Sequence, residues 1–172
     1  PTRRSSDLIS RRHQIVFHTD AVQAYGHIPI NVNECMIDMM SVSAHKFHGP
    51  KGVGFLYIRT GLELPSYIDG GSQENGHRAG TSNVPGIVGL GKACEISGRN
   101  MQRNLNTLTR LRSRIIRRIK QGLPDAVLTG SEQMRLPNNI SFCFPQVESA
   151  ALLAILDSEG ICASAGSACS TG

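Results

Sequence analysis

Residues 37–59 read Ile37-Asp38-Met39-Met40-Ser41-Val42-Ser43-Ala44-His45-Lys46-Phe47-His48-Gly49-Pro50-Lys51-Gly52-Val53-Gly54-Phe55-Leu56-Tyr57-Ile58-Arg59. An apolar run, Ile37 to Val42, stops at polar residues and a lysine. Gly49-Pro50-Lys51-Gly52 is a turn signal, and a second run from Gly52 to Arg59 follows it. Short apolar runs bounded by turn residues predict buried strands. Upstream, Gln14 to Thr19 predicts another strand with Asp20 at its carboxyl end, and residues 21–26 predict a helical turn. In open α/β sheets, ligands gather outside the carboxyl ends of the strands. Asp20 and Ser43-Ala44-His45-Lys46 both fall where such a sheet would meet a ligand.

Working outward, residues 65–83 form a Gly-rich polar loop that contains Asp69-Gly70-Gly71-Ser72 and Arg78-Ala79-Gly80-Thr81. A loop of this length without structure of its own is usually functional or mobile. Pro85 to Gly122 predicts a helix, with Gly98 as a candidate break, and Pro124 ends it. Asn139 to Phe144 predicts a strand, Glu148 to Glu159 a helix, and Ile161 to Ala163 a short strand leading into Ser164-Ala165-Gly166-Ser167-Ala168-Cys169. The order predicts two α/β units joined by the long helix.

The chain has 172 residues, 40% of them hydrophobic, enough for one domain or two small ones. No apolar stretch reaches the roughly 18 residues of a membrane helix, and no secretory pattern is visible. The five cysteines, Cys35, Cys94, Cys143, Cys162 and Cys169, include no Cys-x-x-Cys pair. That argues against a zinc site or a disulfide framework and for reduced thiols in the cytoplasm. Residues 1–13 are expected to be a leader outside the fold, because Pro1-Thr2-Arg3-Arg4-Ser5-Ser6-Asp7-Leu8 has no periodicity and reads like translated adapter sequence. The net charge is +5. Much of the excess sits in Arg110, Arg112, Arg114, Arg117, Arg118 and Lys120, interleaved with Leu105, Leu108, Leu111, Ile115 and Ile119 at helical spacing. This is the solvated face of an amphipathic helix, with docking of an acidic protein as the sharper alternative. Few aromatics and no stacking motif place nucleic acid last.

Three residues carry the chemistry. Asp20 suits a helix cap, but a carboxylate there could also hold a pyridine nitrogen protonated, with Gln23 one turn on, facing a ring oxygen. Most lysines are solvated; Lys46 follows an apolar strand among Ser43, His45 and His48, where a desolvated amine can attack an aldehyde. Ser43 and His45 are candidate phosphate contacts. Lone cysteines usually pack, yet Cys169 stands among residues too small to form a core, so its use is reactivity. Acid, Schiff-base lysine and mobile thiol together suit pyridoxal phosphate chemistry on sulfur.

Asp20-Ala21-Val22-Gln23, Ser43-Ala44-His45-Lys46-Phe47-His48-Gly49-Pro50-Lys51-Gly52, Arg78-Ala79-Gly80-Thr81 and Ser164-Ala165-Gly166-Ser167-Ala168-Cys169 occur in the order seen in cysteine desulfurases. These belong to the class V aminotransferase group, and the chain resembles their NifS/IscS-like branch, group I, from about residue 14 onward. The resemblance implies the type I fold of pyridoxal-phosphate-dependent transferases in incomplete form. Residues 14–99 would be the C-terminal part of the large mixed-sheet domain, and residues 100–172 a truncated small α/β domain.

By the same resemblance Lys46 holds pyridoxal 5'-phosphate and moves the substrate's α-proton, while Asp20 pairs with the ring nitrogen. Gln23 contacts the ring oxygen, Ser43 and His45 bind the phosphate, and His45 joins Lys46 and Cys169 in catalysis. Thr81 reaches the phosphate of a neighbouring subunit, which implies a homodimer. L-cysteine is the substrate. L-alanine and a Cys169 persulfide are the products, the sulfur passing to an iron–sulfur scaffold or sulfur-carrier protein. No metal site is expected beyond transient iron–sulfur ligation by Cys169. Family members are more than twice as long, so the sequence reads as a gene fragment, poorly stable and inactive alone. A pyridoxal phosphate lyase acting on selenocysteine and a non-catalytic scaffold on the same fold are the alternatives.

Overall fold

The structure, a computed structural model, describes residues 5–166. Cys169 and the last residues of its loop lie outside that range. Contacts divide the chain into two compact units. One holds the chain up to Arg110 together with Leu136–Asn138, and the other holds Leu111–Arg135 and the chain from Asn139 on. The division falls inside a helix.

In the first unit a helix, α1 (Ser5–Arg12), occupies most of the stretch read as a leader. Asp7 in its first turn and Arg11 and Arg12 in its last complement the helix dipole. Asp7 is buried and accepts the Leu8 N–H at 2.8 Å. The strands are β1 (His18–Asp20), β2 (Met39–Ser43) and β3 (Gly54–Ile58), in that spatial order. β1 runs parallel to β2, with Asp20 abreast of Ser41, and β3 is antiparallel to β2, so the sheet is mixed. The Asp38 carboxylate locks its start, accepting the Phe17 N–H at 2.8 Å and pairing with Arg59 at 2.7 Å.

β1 is shorter than the apolar run suggested, because residues 14–17 lie outside the ladder. β2 alternates, with Met40 and Val42 buried. The core gathers Ala21, Ile37, Met40, Val42, Ala44, Phe47 and Ala93. Residues 21–28 form the expected helical turn, with the N–H groups of Tyr25 and Ile28 donating to Ala21 and Ala24 at 2.8 and 3.1 Å.

Helix α2 (Val84–Gly122) begins where the Asn83 side chain accepts the Gly86 N–H at 3.1 Å, an N-cap followed by a proline in the first turn. It is continuous through Gly98, contrary to the expected break. Glycine keeps its N–H and adds no clash, so it weakens a helix by only about 1 kcal/mol relative to alanine. Glu95 also pairs on the surface with Lys92 and Arg99 around that position.

In the second unit β4 (Val127–Leu128) pairs antiparallel with β5 (Phe142–Cys143). Arg135 ties this unit together, donating to the carbonyls of Ser131 and Thr129 and to Asn139, while its own carbonyl accepts from Arg112 at 2.8 Å. Helix α3 (Ser149–Ser158) follows, with Glu148 as its N-cap. The strand expected at Ile161–Ala163 is absent. Gly160, left-handed at φ 74°, closes α3 and turns the Ile161 N–H back onto the Leu156 carbonyl at 2.8 Å, a Schellman-type stop. No described strand pairs with the residues after it.

Candidate active site

The site begins with β1 and β2 lying parallel, since parallel neighbours end on the same edge of a sheet. Asp20 closes β1, and Ser43 closes β2. The exposed Asp20 carboxylate accepts the Val22 N–H through Oδ1 at 2.8 Å. It therefore does cap the following turn, as the simpler reading of an acid at a strand end required. Its Oδ2 accepts nothing from the described residues. Gln23 is exposed on that turn.

After Ser43 the chain enters a 3-10 turn, η1 (Ala44–Phe47). Positions three apart eclipse in such a turn. Ala44 and Phe47 are both buried, at 0% and 1% exposure, which leaves His45 exposed and Lys46 half-buried on the turn's other faces. The turn closes with His48 in the left-handed region at φ 69° and with the Gly49 N–H donating to the Ala44 carbonyl at 2.9 Å. Ser43 stands at the N-cap with extended backbone, and its side chain makes no capping bond. Asp20 and Ser43 end the parallel strands β1 and β2, and Gln23, His45 and Lys46 lie on the turns that follow them.

Thr81 is not joined to this group by any hydrogen bond among the described residues. It is exposed, two residues after the buried Ala79. The loop before it is less structureless than its composition suggested. Ile68 bridges Arg78, the Ala79 N–H donates to the Ile68 carbonyl at 3.0 Å, and Gln73–Gly76 forms a tight turn with Glu74 and Asn75 in the left-handed region.

Tyr25, Gly26, His27 and Phe47, which no sequence motif singles out as functional, support the two turns from behind. The Tyr25 ring packs on Phe47 and Phe55 at centroid distances of 5.1 and 5.2 Å, and His27 Nε2 lies 3.2 Å from the Lys46 carbonyl. The Ala44–Phe47 spacing is the available signal for a turn with one buried face; nothing in the sequence signals His27. A cavity of about 380 Å³ lies behind η1, lined by His27, Phe47, His48, Arg103 and Asn104 among others. Neither Asp20 nor Lys46 lines it. No group of three or more metal-ligating side chains gathers among the described residues, and no described helix is long and apolar enough to cross a membrane.

The sequence pattern of the family described as Aminotransferase class-V matches residues 4–171, and the chain belongs to that family. It is 52% identical over 163 residues to the cysteine desulfurase IscS of Dictyoglomus turgidum, covering 95% of this chain and 41% of the relative. It is 50% identical to the protein of the same name from Clostridium botulinum, with 42% of that relative covered. The chain thus spans about two fifths of the length of the curated relatives it matches. Its fold follows that of a NifS-like protein from Rickettsia africae, with a TM-score of 0.86 at 31% identity, over 94% of this chain and 44% of the other. A structure described as SspA in complex with cysteine aligns at a TM-score of 0.64 and 32% identity, over 95% of this chain and 44% of the other.

Proposed function

We propose that the chain is the lysine-bearing portion of a cysteine desulfurase, which takes sulfur from L-cysteine, leaves L-alanine and holds the sulfur as a persulfide on Cys169. The observation that carries this reading is the parallel pairing of β1 with β2, which brings an acid and an amine to one sheet edge. The donor set suits pyridoxal phosphate. Asp20 has a carboxylate oxygen to spare, Ser43 a hydroxyl not used as a cap, and Lys46 a partly buried position after the strand. The names of the relatives at about half identity, and the cysteine complex formed by SspA, point to the substrate.

Bound pyridoxal phosphate supplies a ring that accepts electrons from the substrate's Cα. Asp20 would keep the ring nitrogen protonated by offering it a fixed negative charge. Gln23 would face the ring oxygen, and Ser43 and His45 would hold the phosphate. Lys46 would hold the cofactor through its amine and would take the substrate's α-proton. The Cys169 thiolate attacks the substrate sulfur. A sulfur–sulfur bond would form as the substrate's Cβ–S bond breaks; Cβ would take up a proton, and Lys46 would return one to Cα, to give alanine. Thr81 serves the phosphate of a second copy of the chain, and an iron–sulfur scaffold or sulfur-carrier protein takes the sulfur. The cytoplasm, where thiols stay reduced, is the compartment this chemistry suits.

The test is borohydride reduction of the chain with pyridoxal phosphate, followed by mass spectrometry of the peptide holding Lys46. A reduced adduct is expected there and is expected to be lost in Lys46→Ala. Absence from the wild type, or persistence in the variant, refutes the assignment. In a chimera completed with the remaining length of the Dictyoglomus turgidum relative, Cys169→Ser is expected to form no protein-bound persulfide from L-cysteine.

A further inference from the structure

We infer that His27 is a positioning residue for Lys46, an inference that rests on the cofactor reading above. The Lys46 carbonyl sits at the end of a turn whose closing bonds bypass it. Both the His48 and the Gly49 N–H groups donate to Ala44, and no backbone N–H of the described residues donates to Lys46. Such end carbonyls need an outside partner. His27 supplies it, with Nε2 at 3.2 Å. A carbonyl only accepts, so the proton of this bond is on Nε2 of the imidazole.

The contact does not stand alone. Gly26 has φ +78°, and a Cβ there would come within 2.9 Å of the Phe47 Cβ. The Tyr25 ring lies 5.1 Å from that of Phe47. Residues 25, 26 and 27 therefore all seat on η1, with Phe47 gripped from one side and the Lys46 carbonyl from the other. The same turn begins at Asp20, whose carboxylate holds the Val22 N–H. The acid and the amine of the site are thus joined by two routes. One is the β1–β2 ladder, and the other is the turn latched by His27. The ladder fixes where the strands end. The latch fixes the rotation of the Lys46 peptide group, and with it the direction in which the Lys46 side chain leaves the backbone. Side chains that must meet a cofactor need this second layer of support.

The experiment compares the wild-type chain with His27→Leu, His27→Gln and His27→Asn. Glutamine places an N–H donor near the position of Nε2, leucine has none, and the asparagine amide is too short to reach. Three quantities are read: the fraction of Lys46 trapped by borohydride at a fixed, subsaturating pyridoxal phosphate concentration, the exchange rate of the Gly49 amide without cofactor, and the thermal unfolding midpoint. Loss of one hydrogen bond is expected to lower trapping by about two- to tenfold in His27→Leu and His27→Asn and to speed Gly49 exchange, with both restored in His27→Gln. Should His27→Leu not fold, the asparagine–glutamine pair decides alone. Equal trapping in the wild type and the non-donor variants overturns this inference and leaves the cofactor reading intact. Trapping that follows the unfolding midpoint in all three variants, with no rescue by glutamine, makes His27 merely structural and also overturns it. No adduct on Lys46 in any of the proteins overturns the cofactor reading and this inference with it.

Discussion

At Tyr25 the ring is needed for packing while the hydroxyl must find a partner inside the same cluster. The ring packs on Phe47 and Phe55, and the hydroxyl donates to the Cys94 sulfur at 3.6 Å. Burial, followed by the contact with Cys94, pushes the Tyr25 pKa up from 10.0 to about 12. The folded chain therefore holds this proton longer than the unfolded chain. The associated stability is fully present below pH 10 and is lost as pH rises from 10 toward 12. Tyrosinate absorbance in the folded chain is expected to show a late step near pH 12 that Tyr25→Phe removes; a profile unchanged by the substitution refutes this. At Gly26, alanine would have to adopt a left-handed backbone, at roughly 1–2 kcal/mol, and would also crowd Phe47. Gly26→Ala is expected to lower the unfolding midpoint and the trapping of Lys46 together. Asp20, Ser43 and Lys46 are legible in the sequence as candidates because each interrupts an apolar pattern at a strand end. His27 is not, because its partner is a backbone carbonyl 19 positions away, and a main-chain acceptor leaves no mark on the sequence.

Among the elements, the β2–β3 pair and helix α3 lend themselves to direct tests. A Cβ added at Gly54 would lie 2.2 Å from the Val42 carbonyl oxygen, which is backbone and has little freedom to move. Gly54→Ala is expected to destabilise the first unit by ~1–3 kcal/mol, measured by denaturant unfolding. Substitution at Gly52, where an added Cβ meets no atom within 4 Å but φ is +75°, serves as a comparison that carries the backbone cost without the clash. Helix α3 depends on the Glu148 carboxylate, which accepts the Ala150 and Ala151 N–H groups at 3.0 and 2.7 Å. These bonds hold its pKa below the usual carboxylate value. The helix therefore gains from ionised Glu148 above the ordinary carboxylate pKa and loses that support as pH falls through the lowered one. Protection of the Ala150 and Ala151 amides from hydrogen exchange is expected to fall in acid, and Glu148→Gln is expected to flatten that dependence; equal pH dependence in the two proteins refutes the cap. The three strands of the mixed sheet and both major helices are readable from apolar runs, caps and prolines. The expected break at Gly98 does not occur because a glycine inside a helix is a weak penalty, overridden by the turns on either side. The expected strand at Ile161–Ala163 does not form because a short apolar segment becomes a strand only if a neighbour offers a ladder.

For the molecule as a whole, large apolar side chains remain open to solvent. Val84, Ile87 and Val88 share one side of the first turns of α2, and Tyr67 is 93% exposed. The chain is accordingly expected to bind a hydrophobic dye while folded and to unfold with weak cooperativity. A sharp transition without dye binding would refute this. By itself the sequence determined the three strands of the mixed sheet, both major helices, the polar stretches after the strands that carry Asp20 and Lys46, and the family, because these are local matters of apolar period, turn chemistry and motif spacing. Only the tertiary structure decided that β1 and β2 run parallel, that Ala44 and Phe47 form the buried face of the turn that carries Lys46, and that the turn after Asp20 latches onto the turn of Lys46. Each of these depends on contacts between residues distant in the chain, and such contacts are set by which faces find room to bury, not by any residue's own preference.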